Sequence, residues 1–139
     1  MNKYLGLDLG SKTLGVSISS SGIIASNYDT FRFKENEYDL AVSYLKELVI
    51  KENITHIILG LPRHMNNDLG IRGEISISFK EKLTQEVKAE VILWDERLST
   101  KQALDTLIRG SVRRDKQKKI KDELAATIIL QNYLDSINK

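Results

Sequence analysis

The 139-residue sequence has no cysteine and one proline, Pro62. Without cysteine there can be no disulfide, no thiolate metal site and no cysteine nucleophile. Any metal would have to be held by oxygen or imidazole ligands. No apolar run approaches the ~20 residues needed to span a bilayer, so no membrane partner is expected. The first residues, Met1-Asn2-Lys3-Tyr4-Leu5-Gly6, contain no secretory hydrophobic region, which points to a cytoplasmic location. There is no internal repeat and no low-complexity linker, and the length suits a single domain over residues 1–139.

Net charge is also small, at +2, but it is unevenly spread. Residues 109–121 carry Arg109, Arg113, Arg114, Lys116, Lys118, Lys119 and Lys121 against Asp115 alone, a local charge of +6 that leaves −4 for the rest. Such a cluster can be a phosphate-binding footprint. Its plainer reading is a solvated, solubilising loop.

Periodicity sets the order of elements. Tyr4 to Leu9 reads as a strand, Gly10 to Thr13 as a turn, Leu14 to Ser19 as a second strand, and Ile23 to Phe33 as the source of a third. Sequential strands joined by short turns form an antiparallel meander. Asn36, with Asp39 three residues on, is a candidate cap for a helix whose stripe is Leu40, Tyr44, Leu45, Leu48 and Val49. The β-branched run Ile54 to Leu59 predicts a buried parallel strand, followed by a loop over 61–70. Ile75, Phe79, Leu83 and Val87 predict a second helix, and Val91 to Trp94 a fifth strand. Ser99 and Gln102 resemble a capping box for a short helix bearing Ala103, Leu104, Leu107 and Ile108. The last helix is expected from about Ile120 to about Ile137. Strands separated by helices imply parallel pairing with right-handed crossovers. The expected fold is therefore α/β: one mixed five-stranded sheet, antiparallel in its first three strands and parallel in the last two, with helices on both faces.

Three separated acids then stand out. Asp8 lies inside the first strand, where a charge is costly unless it is used or paired. Alternation puts Leu5, Leu7 and Leu9 on one face and Tyr4, Gly6, Asp8 and Gly10 on the other. The flanking glycines would let a metal or phosphate approach the carboxylate. Asp95-Glu96-Arg97 follows the fifth strand, at the carboxyl end where open α/β sheets bind ligands. Asp95 and Glu96 should point to opposite faces, and alternation alone leaves the choice between them open. Asp122 falls in the first turn of the last helix, where the dipole already favours an acid. Ala126, one turn later, would let that helix pack close to the sheet. Mg²⁺ and Mn²⁺ prefer such oxygen ligands, and two ions ~3.5–4 Å apart can activate a water and stabilise a leaving oxygen. Lys12 and the basic segment would hold the nucleic-acid strand being cut. His56 reads as structural, His64 as a surface histidine and Trp94 as core.

At these residues the chain resembles the YqgF family of pre-16S rRNA nuclease and Holliday-junction-resolvase-like proteins. The motifs are Leu5-Gly6-Leu7-Asp8-Leu9-Gly10-Ser11-Lys12 with Gly15-Val16, then Gly60-Leu61-Pro62 with Gly70. They continue with Trp94-Asp95-Glu96-Arg97-Leu98-Ser99-Thr100, and end with Asp122, Ala125-Ala126 and Ile129-Leu130-Gln131. The resemblance implies a ribonuclease H-like fold and a divalent metal, Mg²⁺ or Mn²⁺, on Asp8, Glu96 and Asp122. It places the second acid at Glu96. One departure is Asn66-Asn67, where the family usually has an acid followed by glycine; asparagine tolerates the positive φ of such a turn.

The expected function is a metal-dependent endonuclease acting on structured RNA, at the 5′ end of pre-16S rRNA, with pre-ribosomal particles as partners. Catalytic and metal-binding roles fall to Asp8, Glu96 and Asp122. Nucleic acid would meet Lys12, Arg97, Arg109, Arg113, Arg114, Lys118 and Lys119, with Arg97 also able to orient Glu96. The alternatives are a resolvase of four-way DNA junctions and a non-catalytic RNA-binding assembly factor. Junction resolution needs two sites on a symmetric dimer. No long exposed apolar element announces such an interface, which favours a monomer. A non-catalytic module would not need all three acids.

Overall fold

In a computed structural model of the chain, residues 2–61, 70–95 and 114–138 are described, with side chains in the last helix from Leu124 onward. Five strands run β1 Tyr4–Leu9, β2 Thr13–Ser19, β3 Ser26–Arg32, β4 His56–Leu61 and β5 Glu90–Asp95. Among the described residues three helices accompany them: α1 Tyr38–Glu52, α2 Gly70–Glu86 and α3 Arg114–Ile137. The strands form one sheet in the order β3-β2-β1-β4-β5. β1 pairs antiparallel with β2 and parallel with β4, which pairs parallel with β5. The expected mixed sheet is thus present, with β1 at its centre.

Pairing register decides which residues share a face, because directly opposed residues point the same way. Leu5, Leu7, Leu9, Leu14, Val16, Ile57 and Leu59 lie on one face and are buried with Ala41, Leu45 and Leu48 of α1 and Phe79 and Leu83 of α2. Tyr4 and Ile58 lie on the other face, buried with Ile129, Leu130 and Leu134 of α3. Helices therefore cover both faces, as expected from the βαβ pattern.

Several local expectations change. Asn36 does not cap α1: it takes a left-handed conformation (φ 62°) and its N–H donates to the Ser11 carbonyl at 2.9 Å. Glu37 occupies the cap position without a side-chain bond, so α1 is held by its buried face instead of its cap. Leu40 is 45% exposed; Leu45, Leu48 and Val49 face inward as expected, and Ala41 and Val42 complete the stripe in place of Leu40 and Tyr44. α2 begins at Gly70, inside the segment expected as loop. α3 begins at Arg114 instead of about Ile120, so part of the basic segment is helical. Lys, Arg and Gln are good helix formers and no Gly or Pro interrupts residues 114–137. The short helix expected after Ser99 lies outside the described residues. Among the described residues no helix is long and apolar enough to cross a membrane.

Candidate functional site

Asp8 is half-buried near the carboxyl end of the central strand, opposite Gly15 on β2. Its face is made of small residues: Gly6, Gly15 and Ser17 lie around it on β1 and β2. The sequence suggested that the glycines flanking Asp8 clear space for a ligand. The structure divides that role. A Cβ on Gly6 would lie 2.6 Å from the Leu130 Cβ and 2.7 Å from the Ala126 carbonyl oxygen, so Gly6 is needed for the close approach of α3. Gly10 closes the β1–β2 turn, its N–H donating to the Thr13 carbonyl at 2.7 Å. Gly15 is the position that leaves room: a Cβ there would sit 3.6 Å from the Asp8 Cβ and 3.5 Å from the Ala126 Cβ. That is a small cradle beside the carboxylate, which a side chain would fill.

Ser17 fixes the helix over this spot. It is fully buried, and its Oγ donates to the Ala126 carbonyl at 2.7 Å. At the far end Gln131 ties the helix to the loop before β3, accepting from the Ala25 N–H and donating to the Ile23 carbonyl, each at 2.8 Å. Along α3, Leu134 packs in the cluster with Tyr4, Leu130 comes against Gly6, and Ala126 comes against Gly15 beside Asp8. The helix therefore runs antiparallel to β1. One turn before Ala126, about 6 Å along the axis, is position 122, level with the strand's exit at Gly10. The expectation that Ala126 permits close packing is met: it is 1% exposed and stands at the Asp8–Gly15 pair.

The choice between Asp95 and Glu96 also gains a physical argument. Asp95 pairs with Leu61, and Trp94 with Gly60. In β4 the Asp8 face carries Ile58, so Gly60 and Trp94 belong to it while Leu61 and Asp95 belong to the opposite one. Glu96, Arg97, Arg109 and Arg113 lie outside the described residues, as does His64. Asp122, Arg114, Lys118 and Lys119 are placed on α3 by its backbone alone. Lys12 is exposed at the tip of the β1–β2 turn. Trp94, expected in the core, is half-buried at its margin and packs edge-on against Tyr133 at 5.5 Å, and burial pushes the Tyr133 phenol above its ordinary pKa. The buried Nε1 of Trp94 has no hydrogen-bond partner among the described residues. His56, at the amino end of β4, stacks on Tyr4 at 5.0 Å with Nδ1 2.8 Å from Thr55 Oγ1, a structural role.

Arg72 was missed by the sequence reading. From the first turn of α2, its Nη2 donates to the Leu9 carbonyl at 2.8 Å, beside Asp8 in the chain. Nothing in local sequence signals a bond spanning 63 positions. Among the described residues no three His, Asp or Glu side chains gather as a metal-binding group. Of the three expected ligands, only Asp8 has a described side chain. It supplies the hard oxygen donor that Mg²⁺ or Mn²⁺ would take.

The sequence matches the family described as RuvX, Holliday junction resolvase, over residues 2–136. The chain belongs to this RuvX (YqgF) family. It is 50% identical over 137 residues to a protein of Onion yellows phytoplasma (strain OY-M), covering 98% of this chain and 91% of that one. It is 45% identical over 138 residues to one from Staphylococcus epidermidis (strain ATCC 12228 / FDA PCI 1200), covering 98% and 97%. Both carry the name "Putative pre-16S rRNA nuclease". Among solved structures, RuvC of T. thermophilus in complex with a Holliday junction substrate superposes with a TM-score of 0.64 at 14% identity, over 99% of this chain and 96% of that one. That likeness establishes the ribonuclease H-like fold. Membership makes the RuvX chain a nuclease, a hydrolase of phosphodiester bonds.

Proposed function

We propose that this RuvX-family chain is a divalent-metal-dependent endonuclease that cuts structured RNA, with the 5′ end of precursor 16S rRNA as its substrate. The reading is carried by one observation: Asp8 stands on the central strand beside the Gly15 cradle, at the end of the sheet toward which α3 brings position 122. The names of the relatives support precursor 16S rRNA as the substrate class; the 5′ end, and a cytoplasmic monomer acting on pre-ribosomal particles, belong to the proposal.

In this reading Asp8, Glu96 and Asp122 hold Mg²⁺ or Mn²⁺. When bound, such ions lower the pKa of a water and stabilise the departing oxygen of a phosphodiester. The chain's own contribution is placement. β1 delivers Asp8 from a strand paired on both sides, so its backbone cannot drift. Ser17 and Gly6 seat α3 against it, which sets the height of position 122. Glu96, the residue that follows Asp95 in the sequence, is the second acid of the set in this reading, and Arg97 is its orienting partner in the proposal. Lys12 and the cations at 109, 113, 114, 118 and 119 bind phosphates along the substrate and neutralise their charge.

The test is cleavage of precursor 16S rRNA with Mn²⁺ or Mg²⁺ by wild type and by Asp8→Asn. The expected result is a loss of at least ~10³-fold in rate, about 4 kcal/mol, with an unchanged melting temperature. Equal cleavage by the two proteins would overturn the mechanism. Resolution of four-way DNA junctions, the activity in the family's description, is the second reading. Selective cutting of such a junction over the RNA would replace the first with it.

A further inference from the structure

Two arginines outside the basic segment stand at the Asp8 end of the sheet, and neither is answered by a carboxylate among the described residues. Arg72 is half-buried, and its Nη2 is fixed on the Leu9 carbonyl at 2.8 Å. A guanidinium has five N–H donors in a planar fork, so this bond orients the group and leaves donors over. A partly desolvated cation of this kind is stabilised by a nearby anion.

Arg32 is exposed at the carboxyl end of the edge strand β3, and its place follows from register. Asp8 opposes Gly15, and Gly15 opposes Thr30. One step further, Gly10 bonds Thr13, and Thr13 opposes Arg32. Thr13, Thr30 and Arg32 thus share the face of Asp8. The only acid in β3, Asp29, opposes Val16 on the other face and accepts from the Tyr44 hydroxyl at 3.0 Å. No acid of β2 or β3 competes for an anion on the Asp8 face.

We propose that Arg72 and Arg32, with Lys12 between them, form a track that holds the phosphodiester backbone of the substrate across the carboxyl end of β1, on either side of Asp8. It rests on the nuclease reading above and adds residues to it. Two strand spacings, about 10 Å, separate β1 from β3. At ~3.4 Å of rise per nucleotide along a strand, that is about three nucleotides. A lone phosphate or mononucleotide could not engage both ends, whereas a continuous backbone can. The small residues Gly10, Thr13 and Thr30 leave the path between them low, and the two threonine hydroxyls can donate to phosphate oxygens along it.

The test uses the full chain carrying Asp8→Asn, titrated with a labelled structured RNA with single-stranded ends at several KCl concentrations. Arg32→Ala and Arg72→Met are each added to it. Each is expected to raise Kd about 5- to 10-fold near 0.1 M salt and to lower the log Kd against log salt slope by about 0.7–0.9, one phosphate contact apiece. Arg72→Lys keeps a donor for the Leu9 carbonyl and a positive charge, and is expected to keep the slope. A single-stranded DNA of the same sequence is expected to show the same changes, because the backbone is what is read. Unchanged slopes, changes seen with RNA but not DNA, or a fall in melting temperature at Arg72→Met without a slope change would overturn the track. These outcomes are separable from failure of the nuclease reading, which is judged by cleavage with Asp8 intact and with Asp8→Asn. Absence of any binding by the parent protein would overturn the track, while cleavage by the protein with Asp8 intact would still decide the nuclease reading.

Discussion

The two faces of the sheet are built on different rules. The α1–α2 face is lined by large aliphatic residues, and the helices stand off it at the distance their side chains dictate. The α3 face is built at Asp8 from Gly6, Gly15 and Ser17, and α3 comes in until its Ala126 carbonyl meets a serine hydroxyl. Burial of apolar area stabilises the first face in proportion to its extent. The second trades that area for proximity, which places a helix backbone within reach of a carboxylate on the central strand. One layer therefore carries stability, and the other sets the geometry of the site.

Substitutions on the two faces should separate these properties. Leu45 is fully buried among the α1–α2 residues, so Leu45→Ala should cost about 2–5 kcal/mol and lower the melting temperature by roughly 10 °C. The protein that remains folded should cleave at close to the normal rate per molecule. Gly6→Ala is smaller in atoms and different in kind. Its methyl would meet the Leu130 Cβ at 2.6 Å and the Ala126 carbonyl, so α3 must retreat by about 1 Å to recover ordinary contact. Overpacking of this sort costs about 1–3 kcal/mol. The rate should fall on the order of 100-fold, because misplacement by that distance removes productive geometry. Thermal melts paired with rate per folded molecule check both. If Leu45→Ala slowed the folded enzyme as much as Gly6→Ala does, the division between the faces would be wrong.

The same division governs what could be read from the sequence. Period-two and period-3.6 patterns are imposed by burial, so the strands, the helices and the alternation at Asp8 were legible. Alternation also said that Asp95 and Glu96 must part company, and register then showed which face Asp95 takes. What failed depends on backbone geometry or on long-range contact. Asn36 has the chemistry of a cap, yet the turn needed its tolerance of positive φ more. Gly6 looked like an opening for a ligand because a small residue in the last helix signals close packing without saying which strand residue it crosses. Arg72 and Ser17 act through bonds to residues 63 and 109 positions away, which no local pattern encodes.

Ser17→Ala probes the same seat more gently than Gly6→Ala. It removes a buried hydroxyl from the Ala126 carbonyl but inserts nothing. The carbonyl keeps its place in the helix, so the loss should be about 1 kcal/mol, the net value of one hydrogen bond. Cleavage should drop by several-fold, well short of Gly6→Ala. A rate equal to wild type would mean that packing alone, without the serine, seats α3.

The smallest effect belongs to the rim of the other face and appears only at alkaline pH. Tyr44 donates to Asp29 at 3.0 Å, and burial, then that bond, raise its pKa from the ordinary 10.0. A raised pKa means that folding favours the neutral phenol. Its contribution is therefore complete below pH 10.0, the unfolded value, and is lost as pH climbs from there through the folded value. Tyr44→Phe should lower stability by a few tenths of a kcal/mol near neutrality, as expected for an exposed polar contact. Above pH 10.0 it should make the decline shallower than in wild type, the two curves converging as the wild-type phenol ionises. Denaturant midpoints from pH 8 to 11 measure this, and parallel curves would refute the assignment. The nuclease rate per folded molecule should not change at any of these pH values, because Asp29 and Tyr44 lie on the face that sets stability and not on the one that carries Asp8.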